Sequence, residues 1–271
     1  MRVAICAIAK HENKYIRDWV NYHINLGIRH IYVFDNNETQ YPSVADELVG
    51  LGDTVTLFNV RDKIDRNLQV DCYKICYDKY QNEYDWMMFI DLDEFLYIKD
   101  KTLEEYLSQS KFSNTSIIHL NWRYYGDNEL LHYENKPVWK RFTEPAPINV
   151  RYAQLSDENR YVKSIVNCKY KIKLINSPHT MVLSGGNCLR NNGEQSNMSR
   201  SAEDYNYDEA CIRHYGTKTI EEYLERRSMG TLAAGDRTIT LKQRIEWFFN
   251  TNSWTQEKQD IINEFLKTHK N

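Results

Sequence analysis

The run Trp86-Met87-Met88-Phe89-Ile90 passes without a spacer into Asp91-Leu92-Asp93-Glu94, so an apolar strand ends abruptly in carboxylates. This junction constrains the fold because the same event recurs along the first half of the chain. Residues 2–9 read as a buried strand ending in Lys10-His11-Glu12-Asn13. Residues 30–34 end in Asp35-Asn36-Asn37, and residues 54–60 in Arg61-Asp62-Lys63. Between them lie segments of helical period. The first, 14–26, sets Tyr15, Trp19, Tyr22 and Leu26 on one face with Gly27 as its stop, and 43–51 and 67–80 follow. Apolar strands interleaved with helices predict an α/β fold with a parallel sheet covered on both faces. Ligands of open α/β sheets sit at the carboxyl ends of the strands, so four polar strand ends predict one polar crevice.

Beyond about residue 115 the pattern turns irregular, with β-like pieces at 116–122, 162–167 and 170–175 among loops rich in Asn, Ser and Gly. Helical period returns at 217–228, 238–250 and 255–268. No repeat or linker interrupts the chain. The expected organisation is one domain over residues 1–230, with a helical extension, residues 231–271, packed on it.

Asp91 and Asp93 flank one residue at a strand end. Residues i and i+2 of an extended chain point the same way, bringing two carboxylates to about 7 Å. Their repulsion is relieved by a hard cation with oxygen ligands, magnesium or manganese, whose shell a nucleotide-sugar diphosphate can complete. Trp19 and His23 lie on the inner side of the first helix and are assigned to the core, with His23 bonded to a backbone carbonyl. Trp122, Tyr124 and Tyr125 precede Gly126 at a strand end, and Trp122 is the expected sugar platform, with Tyr125 beside it.

Composition excludes some alternatives. A formal net charge of −3 carries no basic bias for nucleic acid. Cys6, Cys72, Cys76, Cys168, Cys188 and Cys211 form no C-x-x-C pair, so zinc is not indicated and reduced thiols in a cytoplasmic protein are expected. No apolar run approaches the roughly 18 residues of a membrane span. The aromatic stretch Ile245-Glu246-Trp247-Phe248-Phe249, with Trp254, is a candidate peripheral membrane contact, but its mixed charge favours packing on the main domain.

The runs Lys10-His11-Glu12, Trp19-x-x-x-His23-x-x-x-Gly27, Tyr32-Val33-Phe34-Asp35-Asn36-Asn37 and Asp91-Leu92-Asp93-Glu94-Phe95 resemble the GT-A-fold glycosyltransferases. The resemblance is closest to the family 2-like branch shading into glycosyltransferase family 92. Trp122-x-x-Tyr125-Gly126, Lys163-Ser164-Ile165 and His214-Tyr215-x-x-Lys218-Thr219 extend it over roughly residues 1–230. His11 stands where the family motif commonly has Asn, and Thr219 where Ser is usual.

The resemblance implies a Rossmann-like mixed sheet flanked by helices, and metal-dependent transfer, with inversion, from a uridine diphosphate sugar to a free or lipid-linked glycan. It implies that Glu12 and Asp35 meet the nucleoside and that Lys10, Gln69 and Leu92 belong to the donor side. His214 is implied as third metal ligand beside Asp91 and Asp93, with Lys218 on the diphosphate; His179 is the rival for His214's place. For the general base, Asp127, Glu158 and Glu194 are the candidates, Glu194 having the spacing from Asp93 that the family pattern suggests. A sugar nucleotidyltransferase is the competing enzyme class, but it needs a glycine-rich first loop where this chain has Lys10-His11-Glu12. A non-catalytic carbohydrate- or nucleotide-binding relative is the other alternative.

Overall fold

The structure, a computed structural model, describes residues 1–146, 151–152, 156–196, 206–229 and 240–269. Strand β1 (Val3–Ala9) is buried along its length and divides its side chains between two layers. Val3, Ile5 and Ala7 join Ile16, Trp19 and Val20 of helix α1 (Asn13–Leu26). Ala4, Cys6 and Ile8 join Cys72, Tyr73, Cys76 and Tyr77 of helix α2 (Leu68–Tyr80). Burial on both faces is why this strand reads as an unbroken apolar run. Gly27 ends α1 at φ 110°, its N–H shared between the carbonyls of His23 and Ile24, a conformation that a side chain would strain.

Strands β2 (His30–Asp35), β3 (Val55–Asn59) and β4 (Trp86–Phe89) lie parallel to β1 in the order β3-β2-β1-β4. The helix expected at 43–51 is only a 3-10 turn, Val44–Leu48. After β4 the chain doubles back through Asp91–Asp93, Glu94 N–H bonding to Asp91 O at 3.1 Å, into β5 (Glu94–Ile98) and a short helix, α3 (Leu103–Leu107). Next come β6 (Thr115–Tyr124), α4 (Val138–Arg141), the short pair β7 (Arg151–Tyr152) and β8 (Ser156–Asp157), and β9 (Val162–Asn167). The hairpin β10 (Ile172–Ser177) and β11 (Thr180–Leu183) packs on the α2 layer. Strands β12 (Asn187–Arg190) and β13 (Ala210–His214) complete the sheet, and helices α5 (Ile220–Ser228), α6 (Leu241–Thr251) and α7 (Gln256–Thr268) follow.

Beyond β4 the sheet is mixed. β9 runs antiparallel between β4 and β6, β13 runs parallel to β6, and β5 closes the edge antiparallel to β13. This is the mixed sheet flanked by helices that the resemblance implies. Its register puts the ends of β1 to β4, β6 and β13 at the same edge as the starts of β5 and β9.

Helices α5, α6 and α7 share an apolar cluster of Ile220, Tyr223, Leu224, Phe248 and Ile262. Phe248 of the aromatic stretch is therefore core, while Trp254 stays exposed. Lys258 of α7 is fully buried and pairs with Asp127 at 2.6 Å, tying these helices to the loop after β6. No described helix is long and apolar enough to cross a membrane. All six cysteines are free and buried.

His23 links α1 to β5. Its Nε2 accepts the Leu96 N–H at 3.2 Å, so Nδ1 carries the proton and donates to Trp19 O at 2.9 Å. Burial holds the imidazole down at about 3, so it is neutral in the fold. The unfolded chain takes up a proton below about pH 6.5, so stability from His23 is present above that value and falls as pH drops. The loss between pH 7 and pH 5 is expected to be about 2 kcal/mol. Urea unfolding of His23→Gln at both pH values should show a difference smaller by that amount; an unchanged difference would contradict a neutral His23.

Candidate active site

The turn after β4 separates the two aspartates that an extended chain would hold side by side. Asp91 points to β9, where Lys163 Nζ meets its Oδ2 at 2.7 Å. Gln69, in the first turn of α2, donates to Asp91 Oδ1 at 2.6 Å. Lys163 also lies 3.3 Å from Glu94 Oε2, which accepts the Asp91 N–H at 2.8 Å. Burial disfavours the ammonium, but Asp91 and Glu94 more than offset this and keep Lys163 charged. Burial pushes the Glu94 carboxyl up, and Lys163 opposes it.

Asp93 faces β13, with His214 Nε2 3.6 Å from its Oδ2. Burial alone would raise the Asp93 carboxyl, but His214, Lys218 and Arg226 hold it well below the ordinary carboxylate range. Lys218 reaches this position with φ 57° and stands over the Tyr15 ring at 4.5 Å. A left-handed lysine costs on the order of 1 kcal/mol, and such strain gathers where a side chain must be aimed. Trp122 packs against the His214 ring, centroids 4.0 Å apart, and touches Tyr161 and His179. The indole is 8% exposed and offers no open face for a sugar, correcting the expectation for Trp122: it walls in and orients His214. His179 bonds Val162 O through Nδ1 at 3.1 Å, and burial holds it down at about 3. Of the two histidines, His214 is the one facing Asp93.

The ends of β1 and β2 form a different environment. Lys10 and His11 both pair with Glu38, at 2.7 and 3.0 Å. Asp35 is buried, its carboxylate taken by the Ser43 hydroxyl at 2.6 Å and the Asn37 N–H at 3.0 Å, so it shapes the loop. Glu12 receives Arg226 Nε at 3.2 Å. Beside them a cavity of about 170 Å3 is lined by His11, Tyr41, Tyr15, Glu222, Arg226 and Met229, among others. His11 and Tyr41 stand edge to face there, at 4.7 Å. Neither Tyr41 nor Arg226 announces itself in the sequence.

Several expected site residues are placed elsewhere. Asp127 is committed to the buried Lys258 and cannot serve as a base. Glu194 lies in an exposed turn after β12, three residues past Asn191, which bonds Ala210 O at the start of β13. His214 ends that strand, four residues or roughly 13 Å away at ~3.3 Å per residue. Leu92 and Tyr125 are core, Tyr125 against Tyr215. The side chain of Glu158 lies outside the described residues. Lys163 is a residue the sequence could have flagged, since a lone lysine in a buried strand calls for a buried carboxylate partner.

Asp93 and His214 can accept a divalent cation. The described residues hold no cluster of three metal-ligating side chains. Magnesium-type sites nevertheless commonly use one or two protein ligands, the rest coming from substrate phosphates and water. Asp93, 27% exposed at its side chain, and His214 supply that much. Asp91 was expected as a further ligand, but its oxygens already accept from Lys163 and Gln69.

Two curated relatives, glycosyltransferase family 92 proteins of Ricinus communis and Oryza sativa subsp. japonica, are 25% and 24% identical over 99 and 112 residues. These matches take in 35% and 39% of this chain but only 17% and 18% of the relatives' length. Among solved structures, S. aureus TarS 1–349 in complex with UDP matches 99% of this chain and 72% of its own, at 13% identity and a TM-score of 0.39. The galactosyltransferase LgtC with donor and acceptor sugar analogs matches 61% and 58%, at 13% identity and a TM-score of 0.29. Likenesses this distant support no residue-level inference. The family model for glycosyltransferase family 92, by contrast, matches residues 2–268, nearly the whole chain, and the chain belongs to that family.

Proposed function

We propose that this protein transfers a glycosyl group from a uridine diphosphate sugar to a glycan hydroxyl, in a reaction that needs a divalent cation and inverts the anomeric centre. The observation that carries the reading is the pairing of Asp93 with His214, beside Lys218 and Arg226, at the polar edge of the sheet. Family membership supports glycosyl transfer; inversion rests on the resemblance alone.

Lys218 and Arg226 give that edge the positive field that a diphosphate needs. Asp91, fixed by Lys163 and Gln69, is an oriented acceptor for hydroxyl groups. The cavity that His11, Tyr41 and Tyr15 line has the aromatic walls and polar rim that suit a nucleobase, with Glu12 alongside through its bond to Arg226. Bound at Asp93 and His214, manganese or magnesium would neutralise negative charge on the departing diphosphate.

Uridine diphosphate with manganese should raise the melting temperature. A ligand at a hundredfold excess over its Kd stabilises the folded state by about 2.7 kcal/mol. Guanosine and cytidine diphosphates should shift melting less, and a larger shift from either would overturn the uridine assignment.

A further inference from the structure

Lys163 stands in an interior strand of the sheet with its side chain 0% exposed. Burying an unpaired ammonium costs several kcal/mol, so a lysine here depends on its partners. Those partners are Asp91 at 2.7 Å and Glu94 at 3.3 Å, and the Asp91 N–H closes the group by bonding Glu94 at 2.8 Å. Each Asp91 oxygen thus already accepts from a protein donor, Lys163 on one side and Gln69 on the other. Asp91 remains 34% exposed towards the crevice but has its counter-charge supplied from within the protein. Among the described residues no lysine lies at contact distance from Asp93, which looks across to His214 instead.

We propose that Lys163 is a positioning residue that occupies a cation's place at Asp91, fixing that carboxylate as a hydrogen-bond acceptor and confining the divalent metal to Asp93 and His214. The two aspartates of the D-x-D run then have different partners: a permanent ammonium for the first, an exchangeable cation for the second. The inference rests on the metal-dependent reading above and concerns which side chains reach the ion.

The test is manganese binding by the purified protein without donor, read by electron paramagnetic resonance of the free ion. Asp93→Asn is expected to weaken binding at least ~10-fold, and Asp91→Asn to change it less than about threefold. Lys163→Met should tighten binding by about tenfold, because Asp91 and Glu94 become unpaired anions, while donor turnover falls as Asp91 loses its fixed position. A lysine with only a structural role would lower the melting temperature without tightening manganese binding, and that result overturns the proposal. Should Lys163→Met fail to fold, the two aspartate variants decide alone, since Asp91 is partly exposed. Equal losses in Asp91→Asn and Asp93→Asn make Asp91 a ligand and overturn this assignment only. Wild-type protein that takes up no manganese, with or without uridine diphosphate, overturns the metal dependence and this assignment with it.

Discussion

Arg141→Met is expected to destabilise the fold by about 3–5 kcal/mol, the usual cost of leaving a buried charge without its partner. Arg141 and Glu222 form a two-pronged pair at 2.7 and 2.8 Å, each side chain 1% exposed. The same carboxylate accepts the Tyr15 hydroxyl at 2.8 Å and caps the start of α5 through Thr219. One acidic side chain therefore joins α1, α4 and α5 at the wall of the His11–Tyr41 cavity. Burial would raise its carboxyl, but Arg141 holds it down at about 2 against an ordinary value of 4.5. That depression is a stability contribution, fully present above about pH 4.5 and lost as pH falls towards 2, worth roughly 3 kcal/mol. A melting temperature lower by roughly 6–15 °C is the expected reading for Arg141→Met. Replacing both residues, as Arg141→Met with Glu222→Gln, should recover most of the loss. A single variant within 1 °C of wild type would show that the pair does not hold these helices together.

The second large effect is on turnover. Asp93→Asn keeps the side chain's shape and removes its charge, so one of the two ligands proposed for the cation is weakened. Electrostatic stabilisation of a leaving diphosphate is commonly worth several kcal/mol, and a fall of at least ~100-fold in turnover, about 2.7 kcal/mol, is expected. The fold should survive with at most a modest loss of stability, because Asp93 is partly exposed and Asn can still face His214 of β13. Donor hydrolysis at close to the wild-type rate would remove Asp93 from the reaction.

Strands β1, β2 and β4 were legible because each is buried on both faces and ends where a polar loop begins, and the half-buried edge strand β3 because its apolar run ends the same way. Strand β5 was not, since Phe95-Leu96-Tyr97-Ile98 follows the acidic run without a break and reads as part of that motif. Asp91 and Asp93 were legible as carboxylates at a strand end, but their separation was not: the expectation of two parallel carboxylates assumed an extended chain, and the chain turns there. Lys163 lies 72 residues from Asp91, beyond the reach of any local pattern. Asp127 looked like a free loop carboxylate because its partner Lys258 belongs to the last helix. Trp122 looked like a platform because burial of a strand-end aromatic depends on which ring, here His214, comes to lie against it.

Hydrolysis of a panel of nucleotide sugars, with manganese and with excess chelator, tests the central claim most directly, because slow transfer to water needs no acceptor. A uridine diphosphate sugar should be hydrolysed with manganese present, hydrolysis should stop in chelator, and added manganese should restore it. Full hydrolysis in excess chelator, or no hydrolysis of any nucleotide sugar, would contradict it.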